Sequence, residues 1–264
     1  MSVSRAILIT VVSLILIWLI IPILIIVPMS FSGTRFLTFP PPSWSFRWYE
    51  AYLASSAWMQ ATKVSLIVAI ASAILSTIIG TAAAYALNLT SSRLVRSMQV
   101  VLLLPLVVPI VITAVGVFFV FAKVGLLATL SGLILANVML GLPYVVTSVL
   151  VGLRKFDPTQ EMVARSLGMN RFRAFFAVTL PQIKPSVISG LLFAFISAID
   201  ETVVSLFISG GQYQTLTKRM FTALRDEIDP TIASISSLLT AVSFIVVMLA
   251  ALSAGRPRKE HAAA

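Results

Sequence analysis

The sequence predicts an all-α, polytopic membrane protein with about six transmembrane helices and a short cytoplasmic helix between the fourth and fifth. Three observations carry this. Of 264 residues, 59% are hydrophobic and 11% charged, where soluble domains run roughly 45–50% and about 25%. With a mean hydropathy of +1.03, the apolar excess exceeds what one core can hide beneath a polar surface. Second, six apolar runs reach the roughly 17–25 residues that a bilayer crossing needs: about 7–29, 62–87, 98–121, 126–150, 183–209 and 233–253. Third, the connection at 151–182 carries its own helix start and stop signals.

Taken in order, the first run follows Arg5 and exceeds the roughly 7–15 residues of a signal-peptide core, so it reads as a retained helix. Pro22 and Pro28 are tolerable within it, because neighbouring groups can satisfy the freed carbonyls. The connection at 30–61 carries Pro40, Pro41 and Pro42, then Trp44, Trp48, Tyr49, Tyr52 and Trp58, aromatics that suit the membrane–water interface. In the second run Ser72, Ser76, Gly80 and Ala84 allow close helix approach. Pro105 and Pro109 predict a bend in the third run, and Asn137 is a lone polar residue in the fourth. The connection at 210–232 mixes Lys218, Arg219 and Arg225 with Asp226, Glu227 and Asp229 and reads as a solvated outer loop. The chain divides into 1–57 (first helix and external loop), 58–254 (transmembrane core) and 255–264 (cytoplasmic tail).

The formal charge of +10 does not form a continuous basic stripe, so it does not point to nucleic acid. It sorts instead by connection. With the N-terminus inside, Arg5, Arg93, Arg96, Arg154, Lys155, Arg165, Arg171, Arg173, Lys184, Arg256, Arg258 and Lys259 lie on the cytoplasmic side, twelve against seven outside. The positive-inside rule then places both termini in the cytoplasm.

On the 151–182 connection, Asp157 suits a helix N-cap, Pro158 the first helical position, and Gln160 completes a capping-box spacing. Met162, Val163, Ser166 and Leu167 can share one face, and Gly168 supplies a left-handed stop. Asn170 can cap a second segment, Arg171 to Thr179, before Leu180-Pro181 breaks it. Such a short apolar-faced helix can lie on lipid headgroups or enter a groove on a cytosolic partner.

Of nine acidic residues, only Asp200 and Glu201 fall within an apolar run. A charge at the bilayer centre costs ~2.5–3.5 kcal/mol on insertion scales, so the pair should face protein or water. Adjacent helical residues point about 100° apart, so one can face a cavity while the other meets a neighbouring helix. Two readings stand: a cation-attracting pathway lined also by Ser197, Thr202 and Ser205, or a structural pair that holds helices five and three together or forms a gate.

The pattern at Ala164, Gly168, Leu180 and Pro181 resembles the Glu-Ala-Ala loop of binding-protein-dependent ABC importer permeases, with Val178 at the isoleucine position, Met162 at the glutamate position and Glu161 one residue early. Trp48-Tyr49, the stretch Ser197 to Phe207, Thr215 to Phe221 and Asp229-Pro230-Thr231-Ile232-Ala233 are similar to the spermidine/putrescine permease subfamily. The resemblance implies half of a translocation pathway in a bacterial inner membrane. Its implied partners are a second, similar permease, a homodimeric ATPase and an extracytoplasmic solute-binding protein, within membrane lipid. It implies that Glu161, Met162, Val163, Ala164, Ser166, Leu167, Gly168, Leu180 and Pro181 form the ATPase-coupling element. Putrescine and spermidine lead as substrates, with other organic cations, amino-acid-like solutes and ferric ion left open.

Other chemistries are poorly supplied. The chain has no cysteine and a single histidine, His261 in the tail, which removes thiolate and histidine-based catalysis and metal sites. It lacks the Gly-x-x-x-x-Gly-Lys-Ser/Thr loop, so it cannot cradle ATP phosphates in the usual way; the resemblance implies no cofactor in this chain, with ATP and Mg bound by the partner ATPase. An ion-driven carrier would want repeated discontinuous helices and more buried ionisable groups. A membrane enzyme would have only Asp200-Glu201 as an acid pair, a poor geometry on one helix.

Overall fold

The computed structural model describes residues 3–36, 38–90, 92–226 and 229–253; Glu227, His261 and the tail at 255–264 lie outside the described residues. The chain is all-α. In order, the helices are α1 (Val3–Met29), α2 (Arg47–Ala54), α3 (Ser56–Asn88), α4 (Arg93–Leu103), α5 (Ile110–Val124), α6 (Leu130–Lys155), α7 (Pro158–Ser166), α8 (Arg171–Ala174), α9 (Leu180–Asp200), α10 (Val203–Ile208), α11 (Leu216–Asp226) and α12 (Thr231–Ser253).

Among the described residues, four helical spans are long and apolar enough to cross a bilayer: Ile7–Met29, Ser56–Asn88, Leu130–Lys155 and Arg171–Asp200. A fifth arises if the bent pair Arg93–Leu106 and Ile110–Val124 is one span, and α12 contributes a shorter apolar stretch, Thr231–Ile245. The third run is bent where Pro105 and Pro109 predict, sharply enough to divide it into two helices. It turns by 103° at Val107–Pro109, because Pro105 closes a 3-10 turn and Pro109, with φ −52° and ψ 129°, starts α5 from an extended conformation.

The fifth run also departs from expectation. Leu180-Pro181 does not break the helix. Phe175–Thr179 form a π turn after α8, and the helical backbone runs on through Leu180 and Pro181 into α9. The interruption comes instead at the far end. Glu201 leaves the helix in an extended conformation (φ −68°, ψ 112°), and the short α10 begins two residues later.

The chain forms two compact units. One holds the described residues up to Met59 together with Arg219–Ile245. Within it, Tyr49 and Ser30 share a hydroxyl–hydroxyl hydrogen bond at 2.7 Å, and Trp48 Nε1 donates to the Thr34 carbonyl at 3.2 Å. The Phe31 ring meets those of Phe46 and Tyr49 at 5.3 and 5.2 Å. Aromatic polar atoms are thus satisfied locally while the rings cluster, as interfacial anchors require.

The other unit contains Gln60–Lys218, and α6 is its spine. Leu133, Ala136 and Leu140 pack with Val64 and Val68 of α3 and with Val204 and Ile208 of α10. Farther along, Val145, Val146 and Val149 pack with Ala73 and Ala84 of α3 and with Ile183 and Ala194 of α9. In lipid no hydrophobic drive separates helix from solvent, so close van der Waals fit holds such bundles together. Gly80 and Gly190 supply it: a Cβ on Gly80 would lie 2.8 Å from the Val145 side chain, and one on Gly190 3.0 Å from Val145 Cα. Ser76 adds a hydrogen bond to the Val138 carbonyl across helices at 3.2 Å.

Candidate functional site: a mid-chain cavity and a short surface helix

The two helix interruptions meet around one cavity of about 570 Å³, within the range of roughly 300–1,000 Å³ common for small-ligand sites. Pro105 and Leu106 reach it from the break before α5, and Asp200, Glu201 and Thr202 from the break after α9. Tyr144 of α6 and Ser197 of α9 complete its polar lining, and no lysine or arginine is among the described residues that line it.

Asp200 and Glu201 are separated by this break. Glu201 is 7% exposed. Its Oε1 accepts the Val204 N–H at 2.7 Å, and its Oε2 accepts the Ser205 N–H at 2.9 Å and the Ser205 hydroxyl at 3.0 Å. The carboxylate thus satisfies donors that the first turn of α10 leaves free. Ser205, 1% exposed, serves Glu201 and does not line the cavity. Asp200 is exposed; among the described residues none donates to its carboxylate, and its backbone carbonyl accepts from Thr202 Oγ1 at 3.3 Å. Asp200 ends α9, so its carboxylate adds to the negative end of that helix dipole.

The segment after the break is held from the other side. Thr217 Oγ1 donates to the Glu201 carbonyl at 2.9 Å, and Ser65 Oγ of α3 accepts the Leu216 N–H at 2.7 Å. Lys218 Nζ donates to the Ser209 carbonyl at 2.5 Å, capping the carbonyl end of α10. Burial pushes the Lys218 ammonium below its ordinary pKa.

The second element is α7. Asp157 Oδ1 accepts the Thr159 N–H at 2.9 Å, which holds its carboxyl below the usual range through the hydrogen bonds from Thr159. Pro158 opens the helix. Gln160 does not close a capping box; its Oε1 accepts from Gln182 Nε2 at 2.5 Å. Gly168 stops the helix at φ +96°, and Asn170 Oδ1 accepts the Arg173 N–H at 2.8 Å to cap α8.

The side chains of α7 divide by face. Met162, Val163 and Leu167 are 55%, 54% and 81% exposed, and Ser166 is also outward. Ala164 and Glu161 turn inward, at 6% and 8% exposure. Both Glu161 oxygens accept hydroxyl protons, from Tyr85 and from Thr179. Leu180 is half-buried and Pro181 exposed at the start of α9. Tyr85, Thr179 and Tyr144 escaped the sequence reading, since only their partners in space mark them out. Asn137 bonds within its own helix, donating to the Leu133 carbonyl at 2.9 Å.

An all-α chain with several bilayer-length helices, an interrupted-helix cavity and a short helix offered outward is a membrane transport subunit. Residues 76–258 match the family described as binding-protein-dependent transport system inner membrane component, and the chain belongs to that family. It is 31% identical over 236 residues to the spermidine/putrescine transport system permease protein PotC of Haemophilus influenzae, covering 89% of this chain and 91% of that one. It is 32% identical over 247 residues to the putrescine transport system permease protein PotI of Escherichia coli K12, covering 91% and 88%. Among solved structures, a chain from a bacterial ABC transporter that imports the acidic polysaccharide alginate matches with a TM-score of 0.75 at 16% identity, over 96% of this chain and 98% of that one. That likeness is one of fold.

Proposed function

We propose that this chain forms half of the translocation pathway of a polyamine importer, with putrescine and spermidine as substrates. The observation that carries this reading is the exposed Asp200 carboxylate in a cavity whose described lining contains no cationic side chain. A fixed anion at a helix C-terminus favours an ammonium group, and cations are held at interrupted helices in other carriers by the same means. Tyr144 and Ser197 offer oxygen acceptors to the remaining ammonium protons. The PotC and PotI likeness supports the substrate class.

In the same reading both termini are cytoplasmic, and a second permease completes the pathway. A homodimeric ATPase that binds ATP and Mg docks on the exposed apolar face of α7, and an extracytoplasmic binding protein delivers substrate. ATP-driven closure then biases a two-state, rigid-body switch of the pathway. Uptake of labelled putrescine and spermidine tests this in cells lacking the chain, with and without a plasmid that restores it. Restored uptake that requires the partner ATPase is the expected result. Equal uptake in both strains, with the protein present in the membrane, overturns the polyamine reading.

A further inference from the structure

We infer that Glu161 is a positioning residue, the joint through which α7 moves α3 and α9. This rests on reading α7 as the ATPase-docking element. A glutamate on a short surface helix is almost never buried unless it is paired. Here it is 8% exposed, and its two oxygens are divided between two elements: one accepts from Tyr85 near the end of α3, the other from Thr179 in the π turn that leads into α9. Hydrogen bonds to an ionised acceptor are roughly twice as strong as neutral ones, and Thr179 is fully buried, so water cannot replace Glu161 there. Arg171 lines the same small cavity as Tyr85, Glu161 and Thr179.

The π turn is part of the device. π turns concentrate at functional positions, and this one, at Phe175–Thr179, sets the azimuth at which Thr179 leaves the α8–α9 rod. Gln160 and Gln182 make a second, exposed tie between α7 and α9 at 2.5 Å. Beyond Thr179 the rod continues as one helix of 21 residues to Asp200, with Pro185 inside it, roughly 30 Å at 1.5 Å per residue. A displacement of α7 is therefore delivered to the cavity end of α9. The outward residues Met162, Val163 and Leu167 would receive the push and Glu161 would pass it inward, one helix dividing the two tasks between its faces.

The chain has no cysteine, so Ser197→Cys in the complete importer places a single thiol of this subunit at the cavity. The thiol-labelling rate is measured with and without ATP. With the latch intact, ATP changes the rate. In Glu161→Ala the ATP-dependent change shrinks at least roughly tenfold, since the loss of even one of its two hydrogen bonds is of that size, while the ATPase still co-purifies. Tyr85→Phe and Thr179→Val each shrink it partly, and together do no more than Glu161→Ala. A merely structural glutamate would lower the amount of assembled complex without altering the ATP response per complex. Retention of the full response in Tyr85→Phe and Thr179→Val, or in Glu161→Ala, overturns the latch; the two single-hydroxyl variants decide should Glu161→Ala not accumulate. No ATP response with the latch intact overturns the importer reading itself, and the latch with it.

Discussion

Glu201 and Asp200 are neighbours in the chain, yet their carboxylates do different work. Glu201 is bound by three donors of α10 at 2.7–3.0 Å, whereas Asp200 opens into the cavity shared by the two helix breaks. The separation follows from the backbone: because Glu201 leaves α9 in an extended conformation, its side chain swings toward the following turn and not around the same helix.

Neutralising each carboxylate should therefore have different consequences. Asp200→Asn is expected to lower uptake of a dicationic substrate by at least roughly tenfold, about one charged hydrogen bond, with protein abundance unchanged. Glu201→Gln sets an amide NH2 against backbone N–H donors, and should cost about 1–3 kcal/mol through an unsatisfied buried group. Its signature is a lower thermal midpoint in detergent and less protein in the membrane. Normal uptake in Asp200→Asn would remove this residue from the pathway.

Gly168 makes a second case. Its φ of +96° is a conformation that side chains strain to adopt, yet a Cβ there would meet nothing within 4 Å. The penalty of Gly168→Asp is therefore a local backbone effect of about 1–3 kcal/mol, spent on the stop of α7 and not on the core. Insertion should remain intact while ATP hydrolysis by the partner is uncoupled from transport. Solute moved per ATP hydrolysed in reconstituted vesicles is the measurement, and a wild-type ratio would sink the expectation.

At the other end of α7, the Asp157 carboxyl titrates lower in the folded chain than in the unfolded one, because Thr159 donates to its charged form. The sign follows: the stabilisation is complete above the ordinary carboxyl range and is lost as pH falls through the lowered folded value. Hydrogen exchange over 158–167, corrected for intrinsic rates, should rise on acidification in the wild type. Asp157→Asn, which keeps a capping oxygen without titrating, should respond less. Asp157→Ala should exchange fast already at neutral pH.

How far the sequence discloses this protein depends on the range of each interaction. Asp157, Pro158, Gly168 and Asn170 act within three residues of themselves, and their roles are readable from spacing. Four of the six long apolar runs return as bilayer-length helices among the described residues, since bilayer thickness sets their length. Pro105 and Pro109 announce a bend, but its 103° depends on what α4 and α5 pack against. The end of α9 at Asp200 has no glycine or proline to mark it, because the break is stabilised by Glu201 accepting from a turn that exists only once the chain folds. Glu161 shows the limit most sharply. Tyr85 is 76 positions away, and no local pattern tells an inward glutamate from one offered to a partner.

The α3–α6–α9 packing gives a prediction that separates side-chain from backbone crowding. A Cβ on Gly80 would press on the Val145 Cβ and Cγ1, both at 2.8 Å, with the nearest backbone atom at 3.6 Å. A Cβ on Gly190 would press first on Val145 Cα at 3.0 Å. Overpacking a fitted interior typically costs about 1–3 kcal/mol, so Gly80→Ala and Gly190→Ala should each lower the thermal midpoint. Adding Val145→Ala removes Cγ1 but keeps Cβ and Cα. It should relieve part of the Gly80→Ala penalty, as the α3–α6 gap regains side-chain room, and little of the Gly190→Ala penalty, where α9 already touches the α6 backbone. The coupling energies of the two double-mutant cycles decide this. Equal coupling in both would mean that α9 can slide along α6 to make room, so that the two helices are not locked at Gly190.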